Sequence, residues 1–218
     1  MNYCTITPCR GDRPELFQFC LKQLQKMNGG KPVNNAYLMN EPPKSEEMDI
    51  VPRIRQGIEM AKKDGFEFVF IIENDDYYPA DYFSLFGDLS NIDFVGYSDT
   101  VYYNIKTRSY EVLKHHERSS LFCTGFRISA LDRFDWEIIK SNEKFLDVKL
   151  WDYCMLYSKN YKLLSGNPCI GIKAHGQGKA GGKGHIINLK EKDPDLKALS
   201  YFVDKEAFEF YTQLMEKL

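Results

Sequence analysis

The chain has 218 residues, of which 43% are hydrophobic and 14% aromatic, so it can bury a substantial core and is not a disordered or low-complexity chain. Its 29 basic and 31 acidic residues leave a formal net charge of −2. That balance excludes a protein-wide positive field for gathering nucleic acid or anionic lipid, and any contact with a polyanion must be local.

The first third of the chain alternates strand and helix patterns. The predicted elements are, in order, a strand over 3–7, a helix beginning at Pro14 and ended by Gly29 and Gly30, a strand over 35–39, a helix over 49–64 and a strand over 66–72. The last of these is a nearly unbroken apolar run, which is typical of a central strand covered on both faces. This alternation predicts a parallel α/β fold.

The second half has a different pattern. It predicts a strand over 92–97, an antiparallel hairpin formed by 100–105 and 109–113, a helix over 147–157, another strand within 163–172, a glycine-rich segment over 174–184 and an amphipathic helix over 207–218. The apolar stripe of the last helix indicates a face that packs against the rest of the protein.

An acidic segment follows the most apolar strand directly. It reads Glu73-Asn74-Asp75-Asp76 and precedes Pro79. Ligands of open parallel sheets bind beyond the carboxyl ends of the strands, and clustered carboxylates there suit Mg²⁺ or Mn²⁺, which usually accompanies phosphate. The alternative is a polar turn in which the aspartates cap a helix.

Three segments together resemble the donor half of GT-A glycosyltransferases, particularly the family 2 type. They are the opening residues 5–14, the helix containing Arg55-Gln56-Gly57, and the strand that ends in the acidic segment. The resemblance implies a single GT-A domain over 1–218, with a mixed, mostly parallel sheet flanked by helices and a small antiparallel hairpin. Its parts would be a nucleotide-sugar-binding half (1–98), an acceptor half with a Gly/Lys-rich loop at 174–185 (99–192) and a C-terminal helical segment (193–218).

The same resemblance implies roles for individual residues. The resemblance assigns the metal ion to Asp75 and Asp76. Glu73 would lie next to the metal or contact the ribose, and Asn74 would lie beside it. The contacts to the nucleoside and phosphates are assigned to Thr7, Pro8, Arg10, Asp12 and Arg13, helped by Arg55. The chain departs from the family where Glu73 and Asn74 stand in place of aspartate and where the second strand ends in Asn40-Glu41.

A carboxylate in the second half is the candidate catalytic base. Leu150-Trp151-Asp152-Tyr153 resembles the E-D-type motif of inverting members, whose aspartate deprotonates the acceptor hydroxyl, so Asp152 is the first candidate. Asp147 and Asp135 are alternatives, and Asp152 is otherwise a surface aspartate. A positioned base typically contributes 10²- to 10⁴-fold to the rate.

One stretch of the chain is clearly cationic. Between Lys173 and Lys190 there are four lysines, two histidines and no acid. Glycines allow backbone amides to approach phosphate, so Lys179 and Lys183 are candidate diphosphate contacts on a mobile lid. His175 resembles a further metal ligand that many GT-A enzymes supply, and the alternative for this stretch is a solvated loop.

The resemblance implies a metal-assisted, inverting transferase that moves a sugar from a nucleoside diphosphate, with UDP as the favoured carrier, to a hydroxyl of a glycan or glycoconjugate. Three alternatives remain: a sugar-phosphate nucleotidyltransferase, a non-catalytic carbohydrate- or nucleic-acid-binding module, and a transferase whose acceptor is modified DNA. The chain could also be a module of a larger glycan-assembly protein. The missing signal peptide and apolar span predict a cytoplasmic protein with no transmembrane segment, and six cysteines without a C-x-x-C pair predict reduced, buried thiols.

Overall fold

The computed structural model describes residues 2–42, 49–177 and 188–218, and within these residues the chain forms ten strands and five α-helices. The strands are β1 (Tyr3–Cys9), β2 (Ala36–Asn40), β3 (Phe68–Ile71), β4 (Phe94–Tyr97), β5 (Asp99–Asn104), β6 (Ser109–Lys114), β7 (Gly125–Arg127), β8 (Tyr161–Leu164), β9 (Ile170–Lys173) and β10 (Glu191–Lys192). The helices are α1 (Pro14–Met27), α2 (Ile50–Lys63), α3 (Leu146–Tyr157), α4 (Lys197–Phe202) and α5 (Lys205–Met215).

Six strands form the larger sheet, in the order β2-β1-β3-β7-β4-β8. Strands β2, β1 and β3 are mutually parallel, and β4 is parallel to β8. Strand β7 runs antiparallel to both of its neighbours, β3 and β4. The sheet is therefore mixed and mostly parallel, which confirms the fold expected from the sequence.

Strand β3 is buried on both faces because helices cover both sides of the sheet. Its side chains alternate: Val69 and Ile71 join a core with α2 and α3, whereas Phe68 and Phe70 join a second core with α1. The unbroken apolar run at this strand follows directly from that double coverage.

Helix α2 lies very close to β1 at Gly57. A Cβ atom at this position would be 2.6 Å from Cγ2 of Ile6, closer than real side chains approach. The glycine therefore allows the close contact between helix and strand that places the beginning of α2 next to the carboxyl end of β1.

The smaller sheet has the order β10-β6-β5-β9. Strands β5 and β6 form the predicted antiparallel hairpin, and β9 adds to β5 in parallel. A bridge joins Tyr77 to Ile170, with N–H to O distances between the two backbones of 2.9 and 3.1 Å. This bridge places the acidic segment that follows β3 against strand β9.

The C-terminal helices complete a third core beneath the smaller sheet. Phe210 of α5 stacks on Phe19 of α1 with ring centroids 4.1 Å apart, and Tyr211 is fully buried. The predicted packing role of this helix is confirmed. All six cysteines are free and buried, and no helix among the described residues is long and apolar enough to cross a membrane.

Candidate active site

The acidic segment lies where β3 ends. One carboxylate oxygen each from Glu73, Asp75 and Asp76 lies within 4.8 Å of the others. Asp75 is 5% exposed and Asp76 is fully buried, whereas Glu73 is partly exposed. Three carboxylates held this close require positive charge among them, and the surrounding residues supply it.

Asp75 is held by two cationic or hydrogen-donating side chains. Arg13 Nη1 lies 2.9 Å from Asp75 Oδ2, and His175 Nε2 lies 3.1 Å from the same oxygen. Burial would raise the pKa of Asp75, but Arg13 and the hydrogen bond from His175 outweigh it and hold that pKa well below its ordinary value. Asn74 contacts the same arginine, since its Oδ1 accepts a hydrogen bond from Arg13 Nη1 at 3.4 Å.

Asp76 joins the acidic segment to β9. Its Oδ1 accepts from the backbone N–H of Ile172 at 2.8 Å and lies 3.7 Å from Lys173 Nζ. Its Oδ2 is buried and has no hydrogen-bond partner among the described residues. Burial raises the pKa of Asp76 well above its ordinary value, even though Lys173 opposes the shift.

Lys173 is a buried cation at this site. Its Nζ also lies 5.2 Å from the centre of the Tyr102 ring. Burial alone would lower the pKa of Lys173, but the carboxylates of Asp76, Asp75 and Glu73 outweigh it and raise that pKa. The lysine therefore stays charged and offsets part of the acidic charge.

The residues present fit a divalent cation. The donors are hard carboxylate oxygens, and the unpartnered Oδ2 of Asp76 is an acceptor to which the described residues offer no donor. Burial, and after it the charge of Asp75, raises the pKa of Glu73 to about 7. A cation between these oxygens would offset the part of the repulsion among the carboxylates that Arg13 and Lys173 do not already offset.

The loop after β1 and the beginning of α2 form a neighbouring network of charges. Arg10 Nη1 lies 3.1 Å from Asp49, and its Nε lies 3.5 Å from Asp12. Asp49 also accepts from Arg53 Nη2 at 2.7 Å, and Arg53 donates to the carbonyls of Met39 and Glu41, both at 2.7 Å. This network ties the ends of β1 and β2 to α2.

The other residues predicted for the nucleotide lie in the same region. Thr7 is fully buried in β1, which continues through Pro8 to the loop that carries Arg10, Asp12 and Arg13. The structure therefore brings the opening loop and the acidic segment together through the contact between Arg13 and Asp75.

Arg55 lies on the outer side of α2, away from the charge network that contains Arg53. Its side chain is 42% exposed there, and the guanidinium pairs with Glu137 at 2.8 Å and Glu59 at 3.4 Å. Arg55 lies two positions after Arg53 along α2, so its side chain points to the other face of the helix, and its assignment to the nucleotide stays a prediction. Arg53 is the arginine that α2 turns inward.

Asp152 and Asp147 lie on different sides of α3. Asp147 is 8% exposed in the first turn, forms an ion pair with Arg118, and its charge contributes to raising the pKa of Glu73. Asp152 is exposed to solvent. Of the two, Asp147 is the carboxylate that α3 turns inward, and its charge acts on Glu73.

The remaining candidates divide into three groups. Asp135 is exposed and accepts from the backbone N–H of Glu137 at 3.0 Å, so it caps a short 3₁₀ turn. Lys179 and Lys183 lie outside the described residues, and their phosphate contacts stay predictions. His175 lies at the cluster, 3.1 Å from Asp75 Oδ2, and its role as a metal ligand stays a prediction.

Lys173, Arg118 and Arg53 are site residues that the sequence reasoning missed. Lys173 follows the buried residues 170–172, so a signal was present: a charge at the end of an apolar strand. Arg53 lies four residues before Gly57, on the apolar face of α2, and this spacing could have identified it. Arg118 lies in an irregular segment with no pattern that points to Asp147.

A scan against models of known protein families finds no match, and a search among curated proteins finds none. Among solved structures, the chain is similar to S. aureus TarS with a TM-score of 0.52 and 12% identity over 79% of this chain and 37% of that one. The TarS 1–349 fragment in complex with UDP-GlcNAc gives a TM-score of 0.50 at 12% identity, over 86% and 61% of the two chains. A proposed nucleotide-diphospho-sugar transferase from Desulfovibrio desulfuricans G20 gives 0.50 at 11% identity, over 100% and 98%.

The chain has the GT-A nucleotide-diphospho-sugar transferase fold. It spans only 37% of the length of TarS, so the GT-A fold here corresponds to part of that longer protein. Identities of 11–12% show the fold, and the chemistry has to be argued from this chain's own side chains.

Proposed function

We propose that this protein is a glycosyltransferase that moves a sugar from a UDP-sugar to a hydroxyl of a glycan or glycoconjugate, with inversion and with the help of Mn²⁺ or Mg²⁺. The observation that carries the proposal is the cluster of Glu73, Asp75 and Asp76 at the end of β3 in a GT-A fold. The complex of the TarS fragment with UDP-GlcNAc supports UDP as the nucleotide.

The donor would bind between the opening loop and the acidic cluster. Asp75 and Asp76, with Glu73 and His175 beside them, would hold the cation, which supplies positive charge to offset the charge of the leaving diphosphate. Arg13 and Lys173 lie against the same carboxylates and add positive charge at this position.

The nucleoside would lie along the first loop. Thr7, Pro8, Arg10 and Asp12 line the carboxyl end of β1, the edge at which ligands of open α/β sheets bind. The network of Arg10 and Asp49 fixes this loop before the donor arrives, which reduces the entropy cost of binding.

Asp147 is the base in this proposal. It lies in the first turn of α3, where its charge acts on Glu73, and Arg118 holds its carboxylate in an ion pair. Burial raises the pKa of Asp147, although Arg118 opposes the shift, and a raised pKa makes a carboxylate a stronger base.

The reaction is a single displacement. The acceptor O–H gives its proton to Asp147 while its oxygen forms a bond to the anomeric carbon of the sugar. The bond between that carbon and the diphosphate oxygen breaks, and UDP leaves with the electron pair toward Arg13 and Lys173. Attack from the face opposite the leaving group inverts the anomeric carbon.

A thermal-shift panel tests the proposal. UDP, GDP, CMP and TDP are each added with Mn²⁺ or with EDTA, because a ligand at 100 times its dissociation constant adds about 2.7 kcal/mol of stability. We expect the largest shift with UDP and Mn²⁺, no shift in EDTA, and no shift in Asp75→Asn. Each shift is measured against the same variant without ligand, since Asp75→Asn also loses contacts with Arg13 and His175.

Asp195→Asn is the matched control, because Asp195 is 53% exposed and pairs with Lys197 in a surface turn. It should give the wild-type shift. Equal UDP shifts with Mn²⁺ and with EDTA, or an undiminished shift in Asp75→Asn, would contradict the proposed donor site.

A further inference from the structure

A surface cavity of about 690 Å³ lies beside α3, along the flank of the helix that carries Val148 and Asp152. It lies between the helix and the segment that follows β6. Its lining consists of residues 114–118 on one side and of Val148, Asp152, Met155 and Leu156 of α3 on the other. None of the three clustered carboxylates lines it, so it is a distinct space.

Two contact paths join this cavity to the proposed chemistry. The first is direct: Arg118, on its wall, forms the ion pair with Asp147, and Val148, the next residue, also lines the cavity. A molecule in the cavity therefore lies against the residues that hold the proposed base.

The second path runs through the smaller sheet. His115 Nε2 lies 3.3 Å from Ser120 Oγ, which lies 2.9 Å from the Tyr102 hydroxyl. The Tyr102 ring in turn lies against Lys173, the cation next to Asp76. The cavity is thus joined to the acidic cluster by a continuous series of side-chain contacts.

The charges in the cavity balance. Lys114 and Arg118 are offset by Glu117 and Asp152. Burial, and after it the charge of Arg118, lowers the pKa of His115 to about 4, so this histidine is neutral at pH 7. A phosphorylated or sulfated ligand would meet two carboxylates with no surplus of positive charge, which does not favour an anion.

The rest of the lining suits a molecule with both hydroxyl groups and apolar faces. Val148, Met155 and Leu156 form an apolar wall, and Leu156 is 75% exposed although it is a large hydrophobic residue. Carboxylates and guanidinium groups form hydrogen bonds with hydroxyl groups, while the C–H faces of sugar rings pack on apolar side chains.

We propose that this cavity binds the acceptor and that the acceptor is an uncharged saccharide, with Asp152 accepting hydrogen bonds from its hydroxyls. The inference rests on the proposed function, since it identifies the acceptor site of the same transfer. It also gives Asp152 a role in binding, whereas the sequence had suggested that it is the base.

A glycan array tests this inference across many candidate acceptors at once. Wild-type protein, with UDP and Mn²⁺, is applied to an array that carries neutral, sulfated, phosphorylated and sialylated glycans. The neutral glycan bound most strongly is then titrated against wild type, Asp152→Asn, Leu156→Glu and Asp195→Asn. We expect neutral glycans to dominate, and both cavity variants to bind about tenfold more weakly or worse, the effect of losing one hydrogen bond to a charged group or one apolar contact.

The control Asp195→Asn should bind the glycan as wild type does. Selection of anionic glycans, binding of no glycan, or unchanged affinity in both cavity variants would overturn the inference. The UDP shift separates the two proposals: if it persists while the glycan result fails, the acceptor site is wrong and the donor site stands. If UDP does not bind, the proposed function fails whatever the array shows.

Discussion

The acidic cluster and the cavity beside α3 use the same kinds of side chains in opposite settings. At the cluster, Asp75 and Asp76 are buried and are held by Arg13, His175, Lys173 and a backbone N–H. In the cavity, Lys114 and Asp152 are exposed. A buried charge needs a fixed partner, whereas an exposed charge is solvated and can exchange water for a ligand.

This difference separates two roles. The carboxylates of the cluster have buried partners before any ligand binds, which suits a site where charge develops during a reaction. The cavity offers adaptable polar groups, as is suitable for recognition. Substitutions at the cluster should therefore affect both stability and chemistry, and substitutions in the cavity should affect binding alone.

The largest effect is expected at the residue between these two regions. Asp147→Asn keeps the shape of the side chain but removes the base, so we expect turnover to fall by about 10²- to 10⁴-fold while the UDP shift stays as in wild type. Turnover is measured as UDP release with the UDP-sugar and the neutral glycan that bind most tightly.

Asp135→Asn is the control for that variant, because Asp135 only caps a surface turn and asparagine can accept the same hydrogen bond. Its turnover should stay within about twofold of wild type. Wild-type turnover in Asp147→Asn would remove Asp147 from the role of base.

An effect of intermediate size is expected when the unfolding free energies of variants at two arginines of α2 are compared. Arg53→Met leaves Asp49 and the carbonyls of Met39 and Glu41 without their buried donor, which should cost about 3 kcal/mol of unfolding free energy. Arg55→Met removes an exposed pair with Glu137 and should leave the free energy unchanged within error. Urea unfolding followed by circular dichroism measures both, and equal losses would show that the buried network does not stabilise the loop.

The smallest effect concerns the scaffold. Gly57→Ala should lower the unfolding free energy by about 1 kcal/mol, because overpacking against Ile6 exceeds the gain in helix propensity. The double variant Gly57→Ala/Ile6→Ala should be more stable than the sum of the single changes predicts. If the losses of unfolding free energy from the two single changes are additive, α2 accommodates the added methyl group by moving away from β1 at no cost.

The N-terminal part of the fold, from β1 to β3, could be predicted from the sequence because its signals are local. The apolar run of β3, the periodicity of α1 and α2, and the acids that follow β3 directly each occupy a few consecutive residues. The β5–β6 hairpin was predicted for the same reason, since its two strands alternate around a short turn.

The elements that were missed depend on contacts distant in sequence. Strand β7 has three residues, too few for a pattern, and it is defined by its neighbours β3 and β4. The stretch 163–172 was predicted to contain one strand, but β8 ends in it and β9 begins in it, and the two belong to different sheets. No local pattern shows which sheet a strand joins.

The choice of Asp147 over Asp152 as the inward-facing carboxylate of α3 could have been made from the sequence. Asp147 precedes Leu150 and Trp151 by three and four residues, which places it on the buried face of α3, and Asp152 falls on the other face. The ion pair between Arg118 and Asp147 could not be foreseen, because Arg118 lies in a segment without regular structure.

A crystal structure with a UDP-sugar and Mn²⁺ tests the central claim most directly. The account predicts an anomalous manganese peak between the carboxylate of Asp75 and the diphosphate, with the anomeric carbon of the sugar toward Asp147. A nucleotide bound away from the end of β3, or manganese absent from Glu73, Asp75 and Asp76 while the nucleotide is in place, would contradict it.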